Sequence, residues 1–201
     1  MRAFIAAPLQ PVMTHRLMQM QQALTTALPS FRAMAWQNLH LTLVFLDDQS
    51  PEVLEETAKR MLSVGVGMKP FSAPLAGWQL LGRGQRRRPL CLEVAALPQL
   101  LELQRRLSDM TARLGIVSER RRYRPHLTLG RMPPPLPRQE LLAPLLGEPP
   151  QRLEIDRIAL YSSQLLPNGA EHKLLAEAGF NKAKGGNNRK TRTEGGADSN
   201  L

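Results

Sequence analysis

Apolar and polar positions alternate along this chain with two different periods, and their order outlines two similar halves. Arg2 to Ala7 is a short apolar run ended by Pro8 and predicts a strand. Pro11 then opens a stretch in which Val12, Leu17, Met20, Leu24 and Leu28 recur at helical spacing, as far as Pro29. A link through Trp36 leads into the run from Asn38 to Leu46, a strand stopped by Asp47-Asp48. Ser50 followed by Pro51 marks a helix start, with Val53, Leu54, Ala58, Met61 and Leu62 on its inner side and Gly65 and Gly67 closing it. Phe71 to Leu81 reads as extended, and residues 82–88 as a basic turn.

The same plan returns in the second half. Pro89 to Val94 is a strand, Leu97 to Leu114 a helix with Leu100, Leu101, Leu107 and Met110 inward, and Gly115 its C-terminal cap. An arginine-rich link enters the run from Tyr123 to Arg131; Pro133-Pro134-Pro135 forces a loop. Gln139 to Leu146 fits a short helix, Arg152 to Ser162 a strand, and His172 to Ala178 a last one. Subtracting 86 sends His126 to His40, Leu114 to Leu28 and Cys91 to Ile5, so strand, helix and strand align without a gap. The expected fold is α+β: a bilobal duplication with two antiparallel sheets flanking a central cleft, helices outside, and a pseudo-twofold axis. Residues 1–180 form the domain, with lobes of roughly 1–85 and 86–180. The segment 181–201 holds almost nothing apolar and is expected to be a disordered polar and basic tail.

Composition narrows the partners. The net charge is +10, mostly arginine, of which about +3 lies in the tail. Arginine's planar fork suits phosphate, so the excess favours an anionic partner such as nucleic acid over a merely solvated surface. Cys91 is the single cysteine, which excludes an intrachain disulfide, fits a reducing compartment, and leaves no zinc ligand set. No apolar run reaches membrane-spanning length, and the N-terminal run is too short for a signal peptide. A cytoplasmic protein with no metal or cofactor is expected.

The chemistry lies in a repeated tetrapeptide. His-Leu-Thr-Leu occupies 40–43 and again 126–129. At strand geometry His40 and Thr42 leave on one face while the leucines leave on the other, and likewise His126 and Thr128. Two such strands facing each other place two imidazoles and two hydroxyls across one cleft. With no cysteine nucleophile and no metal cluster, this set suits general acid–base catalysis. One imidazole takes a proton from water while the other hands a proton to a leaving oxygen, as attack on a phosphodiester requires. Thr42 and Thr128 can donate to the non-bridging oxygens.

These paired motifs, with the lead-in Asn38-Leu39, Pro125, Arg131 and the run Leu160-Tyr161-Ser162-Ser163, resemble the 2H phosphoesterase superfamily. Within it the chain is similar to the bacterial RNA 2′,3′-cyclic phosphodiesterases, also called 2′-5′ RNA ligases. The resemblance spans roughly residues 2–178. It implies that a terminal 2′,3′-cyclic phosphate is opened to a 2′-phosphate, with reversible 2′-5′ ligation at the same site. It also implies His40 as proton donor and His126 as proton acceptor. Phe180 leads directly into the polar tail, where the resemblance implies an aromatic closing element.

Other residues have two readings each. Arg131 lies five residues after His126, an odd offset that points away from the histidine face unless Gly130 permits a bend toward phosphate. Residues 120–124 supply arginines either to a groove for the RNA backbone or to a solvated run. Trp36, Phe45, Trp78 and Tyr123 can stack a terminal base or simply pack. His15 is expected on an exposed helix face, and His172 has no role that the sequence suggests. The competing functions are a phosphodiesterase for a small cyclic nucleotide and a catalytically silent, basic RNA-binding module. The expected partner is RNA with a cyclic phosphate end, bound by a monomer away from any membrane.

Overall fold

A computed structural model of the chain describes residues 1–82, 87–117, 122–134, 150–166 and 169–181. The expected basic turn (in its 83–86 part), the helix at 139–146, Pro135, Arg120, Arg121 and the tail from 182 lie outside the described residues.

Among the described residues nine strands and three α-helices follow in the order β1 (Arg2–Pro8), α1 (Pro11–Ala27), β2 (Arg32–Ala33), β3 (His40–Asp48), α2 (Pro51–Val66), β4 (Phe71–Leu80), β5 (Arg88–Val94), α3 (Pro98–Ala112), β6 (His126–Met132), β7 (Arg152–Ile155), β8 (Arg157–Leu166) and β9 (Gly169–Gly179). Each helix has proline in its first turn, where the missing N–H costs nothing. Ser50 also caps α2 by accepting from the Val53 amide. All strand pairs are antiparallel, in the spatial order β7-β4-β5-β6-β3-β1-β8-β9, with β2 added beside β6. The fold is thus α+β and duplicated. Two half-sheets meet along the motif strands at a single bridged pair, Leu41 opposite Leu127. Beyond that pair the strands diverge, and Tyr123 spans the divergence by donating its hydroxyl to the Thr42 carbonyl at 2.9 Å.

The halves exchange strands. β4 comes from the first half of the sequence yet lies against β5 and β7, and β8 comes from the second yet lies against β1. β4 and β8 start 86 residues apart, so the exchange is reciprocal, as a twofold axis demands. Alternation reveals that a segment is a strand and is silent on its partner. The expected strand from Arg152 to Ser162 is in fact two, β7 and β8, parted at Asp156 and serving opposite half-sheets.

The helices cover one face of the sheet, and the apolar core lies between. Ile5, Leu41, Leu43, Leu90, Leu92, Leu127 and Leu129 meet Leu17, Leu24, Leu54, Met61, Leu100, Leu103 and Leu107 there. Three expected inward positions are exposed instead. Val12, Leu62 and Leu101 face solvent, and Met13 and Leu103 are among the buried residues of the same helices. Gly65 does not close α2, which runs on to Val66. It lies buried against β9, where a Cβ would meet that of Ala178 at 2.8 Å. Phe180 closes the core beside Phe71, its ring 6.5 Å away and nearly parallel.

The ungapped alignment needs one correction. Cys91 pairs with Thr128 as Ala6 pairs with Thr42, so Ala6, not Ile5, is the counterpart of Cys91. The strands are offset by 85 and the helix starts, Pro11 and Pro98, by 87; the turns between them differ in length. One residue of slip changes the face: Ile5 is in the core and Cys91 lies under the motif threonine.

A β-bulge interrupts both motif strands at the same point. Ile5 pairs with Val44 and Ala6 with Thr42, leaving Leu43 unpaired; Leu90 pairs with Gly130 and Cys91 with Thr128, leaving Leu129 unpaired. An extra residue reverses the alternation beyond it. Val44 and Gly130 therefore turn to the core side, and Phe45 and Arg131 to the side of the histidines. The second bulge is held by Gln21, a buried side chain on α1 that donates to the carbonyls of Leu129 (2.7 Å) and Met34 (2.8 Å). Gly130 is required there, since a Cβ would lie 2.4 Å from both the Arg32 carbonyl oxygen and the Phe31 ring. Gly130→Ala should therefore destabilise the fold by about 2–4 kcal/mol in urea unfolding. An unchanged midpoint would mean that β2 and Phe31 do not press on the bulge.

Candidate active site

The five residues singled out in the sequence share the open face of the sheet. His40 and His126 each begin a motif strand, one residue before the bridged leucines. Continuing that antiparallel register by one residue sets His40 across from Thr128 and His126 across from Thr42. Two imidazoles and two hydroxyls thus form a diagonal square over the junction of the half-sheets.

Both rings are anchored alike. His40 donates Nδ1–H to the Asn38 carbonyl at 2.7 Å, and His126 donates Nδ1–H to the Arg124 carbonyl at 2.8 Å. A carbonyl can only accept, so each neutral ring carries its proton on Nδ1 and presents a bare Nε2. The bond runs to residue i−2 in both copies, a consequence of the strand beginning at the histidine. At His40 the Nε2 accepts the Thr42 hydroxyl at 2.9 Å. Thr128 instead has the Cys91 sulfur 3.5 Å from its hydroxyl oxygen. Burial pushes the Cys91 thiol up to about 11, so it stays a thiol. Arg131 is exposed on the histidine side because of the bulge, and its charge reaches the Cys91 thiol. The expected bend at Gly130 is this bulge.

Residues 18–165 match the family model of the 2′-5′ RNA ligase superfamily, most of the chain. The chain belongs to that superfamily. An RNA 2′,3′-cyclic phosphodiesterase of Thermotoga maritima is 30% identical over 144 residues, covering 72% of this chain and 76% of the relative. One from Methanothermobacter thermautotrophicus is 28% identical over 172 residues, covering 84% and 92%. Among solved structures, TT0787 of Thermus thermophilus superposes with a TM-score of 0.76 at 23% identity, covering 90% of this chain and 99% of that one. The E. coli LigT complex with 3′-AMP superposes with a TM-score of 0.69 at 22% identity, covering 90% and 98%. The two solved structures bear on the fold, the superfamily's duplicated architecture.

Three site residues escaped the sequence reading. Asn38 is buried in the short 3-10 turn that leads into the motif strand and donates its side-chain amide to the Ala170 carbonyl on β9. Gln21 holds the bulge. His172 of β9 stands beside His40, ring centroids 5.5 Å apart and nearly perpendicular. Nothing around His172 in the sequence marks it, since it has no threonine two residues on; Asn38 and Gln21 are polar residues whose burial alone reveals them. Of the four aromatic candidates, Tyr123 serves as the strap described above and Trp78 packs against the core, while Trp36 and Phe45 are exposed. His15 is exposed on α1 and bonded to Gln19.

A second depression of about 470 Å³ lies between α2 and α3, lined by Arg60, Arg105, Arg106, Asp109 and Arg113 among others. Arg60 is paired with Glu56, Arg105 with Glu102 and Asp109, and Arg106 with Glu102. It lies on the helical layer, away from the histidines. No group of three or more His, Cys, Asp or Glu among the described residues is placed to hold a metal ion, and no described helix is long and apolar enough to cross a membrane.

His40 is held neutral. Its pKa falls from 6.5 to about 4, chiefly through burial, then through the charge of His172; the bond to Asn38 opposes this and the charge of His126 adds to it. Between pH 6.5 and 4 the unfolded chain therefore binds a proton that the folded chain resists. Stability is fully present above pH 6.5 and is lost as the pH falls toward 4; His172, also lowered by burial, acts in the same direction. Urea unfolding at pH 7 and 4.5 should differ by on the order of 2 kcal/mol from His40, and His40→Gln should remove that part of the difference. An equal slope in the variant would contradict a buried neutral ring.

Proposed function

We propose that the protein opens the terminal 2′,3′-cyclic phosphate of an RNA to a 2′-phosphate, using His40 and His126 as an acid–base pair and no metal ion. The observation that carries this reading is the pair of imidazoles anchored identically at Nδ1 across the one bridged pair between the half-sheets, which leaves two Nε2 atoms in one cleft. Attack and departure at phosphorus occur on opposite sides, and a base and an acid on opposite strands match that division.

In this reading the Nε2 of His126 takes a proton from water as the water oxygen bonds to phosphorus. The bond from phosphorus to O3′ breaks, and O3′ takes the Nε2 proton of His40. His40 is neutral in the free protein, so it gains that proton as the phosphodiester anion arrives and offsets the burial of its charge. Protonation has a second effect. A charged His40 has no lone pair left on Nε2 to accept from Thr42, so the Thr42 hydrogen is free to turn toward a non-bridging oxygen while the Nε2–H faces O3′. Thr128 supplies the other hydroxyl, and Arg131, brought to this face by the bulge, offers its fork to phosphate. Phe45 occupies in the first strand the position that Arg131 holds in the second, and its exposed ring suits the terminal base. Both histidines come from one chain, so a monomer suffices; a single cysteine, free and buried, fits a protein that meets its RNA in the cytoplasm. The reverse reaction at the same site would join a 2′-5′ linkage.

Kinetics on a short RNA with a cyclic phosphate end test this assignment. His40→Ala and His126→Ala should each abolish turnover while leaving the unfolding transition cooperative. Thr42→Ala and Thr128→Ala should slow it by roughly 10- to 1,000-fold. Near-full activity in either histidine variant would rule out the pair as acid and base. Arg131→Ala should raise KM about tenfold more than it lowers kcat; an unchanged KM would place the guanidinium off the phosphate.

A further inference from the structure

We propose that His172 acts on the reaction through His40, as a positioning residue that seals one side of the catalytic imidazole and keeps it uncharged until an anionic ligand enters. The proposal deepens the reading above and rests on His40 being one of the two working imidazoles.

Three contacts converge on the His40 ring. Phe4 stacks on it at 4.7 Å between centroids, Tyr161 lies beside that pair with its ring roughly parallel to both, 5.3 Å from Phe4 and 6.4 Å from His40, and His172 stands edge-on to both His40 and Phe4, at 5.5 and 4.8 Å. Ala6, whose side chain is a single methyl, lies between Phe4 and Pro8 along β1, opposite Thr42, and leaves room for the Phe4 and His40 rings to meet. His172 is itself fixed from two directions. It pairs with Ser163 in the β8–β9 ladder, and two residues earlier the Ala170 carbonyl accepts the Asn38 side chain. The main-chain carbonyl of that same Asn38 accepts the His40 Nδ1–H. Asn38 therefore ties together the residue that orients His40 and the strand that covers it. No equivalent enclosure is recorded around His126, whose ring contacts no aromatic side chain among the described residues, so the two imidazoles differ in setting although their anchors match.

The His172 ring carries an unusual feature. Its Nδ1 is buried and makes no well-formed hydrogen bond among the described residues, the Glu171 backbone only weakly opposing the effect of burial on the ring. A buried nitrogen so poorly partnered costs stability, and an aliphatic residue would fill the place without that cost. An imidazole there adds what an aliphatic residue lacks, a charge that appears on acidification and opposes charge on His40. The ionisable groups facing His40 are His172 from β9, His126 from β6 and the phenol of Tyr161 from β8. Tyr161 in turn feels Glu177 on β9 and Arg157 on β8, which pair with each other at 3.3 Å. Phe4, from β1, brings no charge. The charges of His172 and His126 thus oppose a proton on His40, and among the described residues no carboxylate acts on the ring to attract one. The missing counter-charge is what an anionic phosphodiester supplies.

His172→Phe keeps a ring against His40 and Phe4 while removing the titrating nitrogen, and His172→Ala removes both. The direct readout is an NMR titration of the His40 imidazole in the free protein, repeated with inorganic phosphate as the anion. In His172→Phe the His40 titration should move up by roughly half to one pH unit, the size expected for losing a charge 5 to 6 Å away in a partly wet cleft. The limb of the kcat/KM profile that belongs to His40 should move up by the same amount. Phosphate should raise the His40 titration in the wild type and raise it by less in His172→Phe. A variant with unmoved titration and an unmoved profile, whatever its rate, would overturn the proposal and leave His172 as packing. Should the wild type lack cyclic phosphodiesterase activity, the functional reading fails, while the titration of the free protein still decides the role of His172.

Discussion

Everything at the site depends on one antiparallel contact, the pairing of Leu41 with Leu127. Because the two strands run in opposite directions, a single bridge between equivalent residues is enough to set each histidine diagonal to the other and opposite the other's threonine. Because the bridge is not extended into a ladder, the strands part and leave a cleft with those side chains over its mouth. The leucines face the opposite way, into a core that they share with all three helices. Burial of the leucines and presentation of the histidines are one geometric fact, and a strand shifted by one residue would lose both.

The bulges extend that logic. Placed identically in the two motif strands, they bring a fifth residue back to the cleft, phenylalanine in one lobe and arginine in the other. Duplication has kept the backbone device and let the side chains diverge. Around His40 lie Phe4, Phe45, Tyr161 and His172; around His126 and Thr128 lie Glu93, Cys91 and Arg131. One wall is aromatic and the other polar, a division suited to a nucleotide end, which has a flat apolar base and a charged backbone.

The sequence was most legible where period and composition act locally. The repeated His-Leu-Thr-Leu pattern, the proline-led helices and the offset of 86 lead to a duplicated α+β fold, and the resemblance to cyclic phosphodiesterases agrees with the family and relatives found. It was least legible where an extra residue or a distant partner decides the outcome. Alternation counts residues by twos, so the bulges at Leu43 and Leu129 were invisible in it, and Arg131 could be brought to the histidine face only by invoking a bend at Gly130. Pairing is a property of the whole sheet, so the exchange of β4 and β8 could not be read from either strand. His172 reaches the site only because β9 folds back along β8, 132 residues after His40 in the chain. Gly65 looked like a stop signal, and its reason is contact with Ala178 on that same strand.

In the proposed reaction two imidazoles, without a metal ion, open a cyclic phosphate with protonation of O3′. Its most direct test is the identity of the product formed from a short RNA ending in a 2′,3′-cyclic phosphate, with EDTA present throughout. Two-histidine chemistry without a metal gives complete conversion to the 2′-phosphate at an undiminished rate. A 3′-phosphate would show that the other oxygen leaves, and activity lost to EDTA and restored by a divalent ion would contradict the two-histidine mechanism itself.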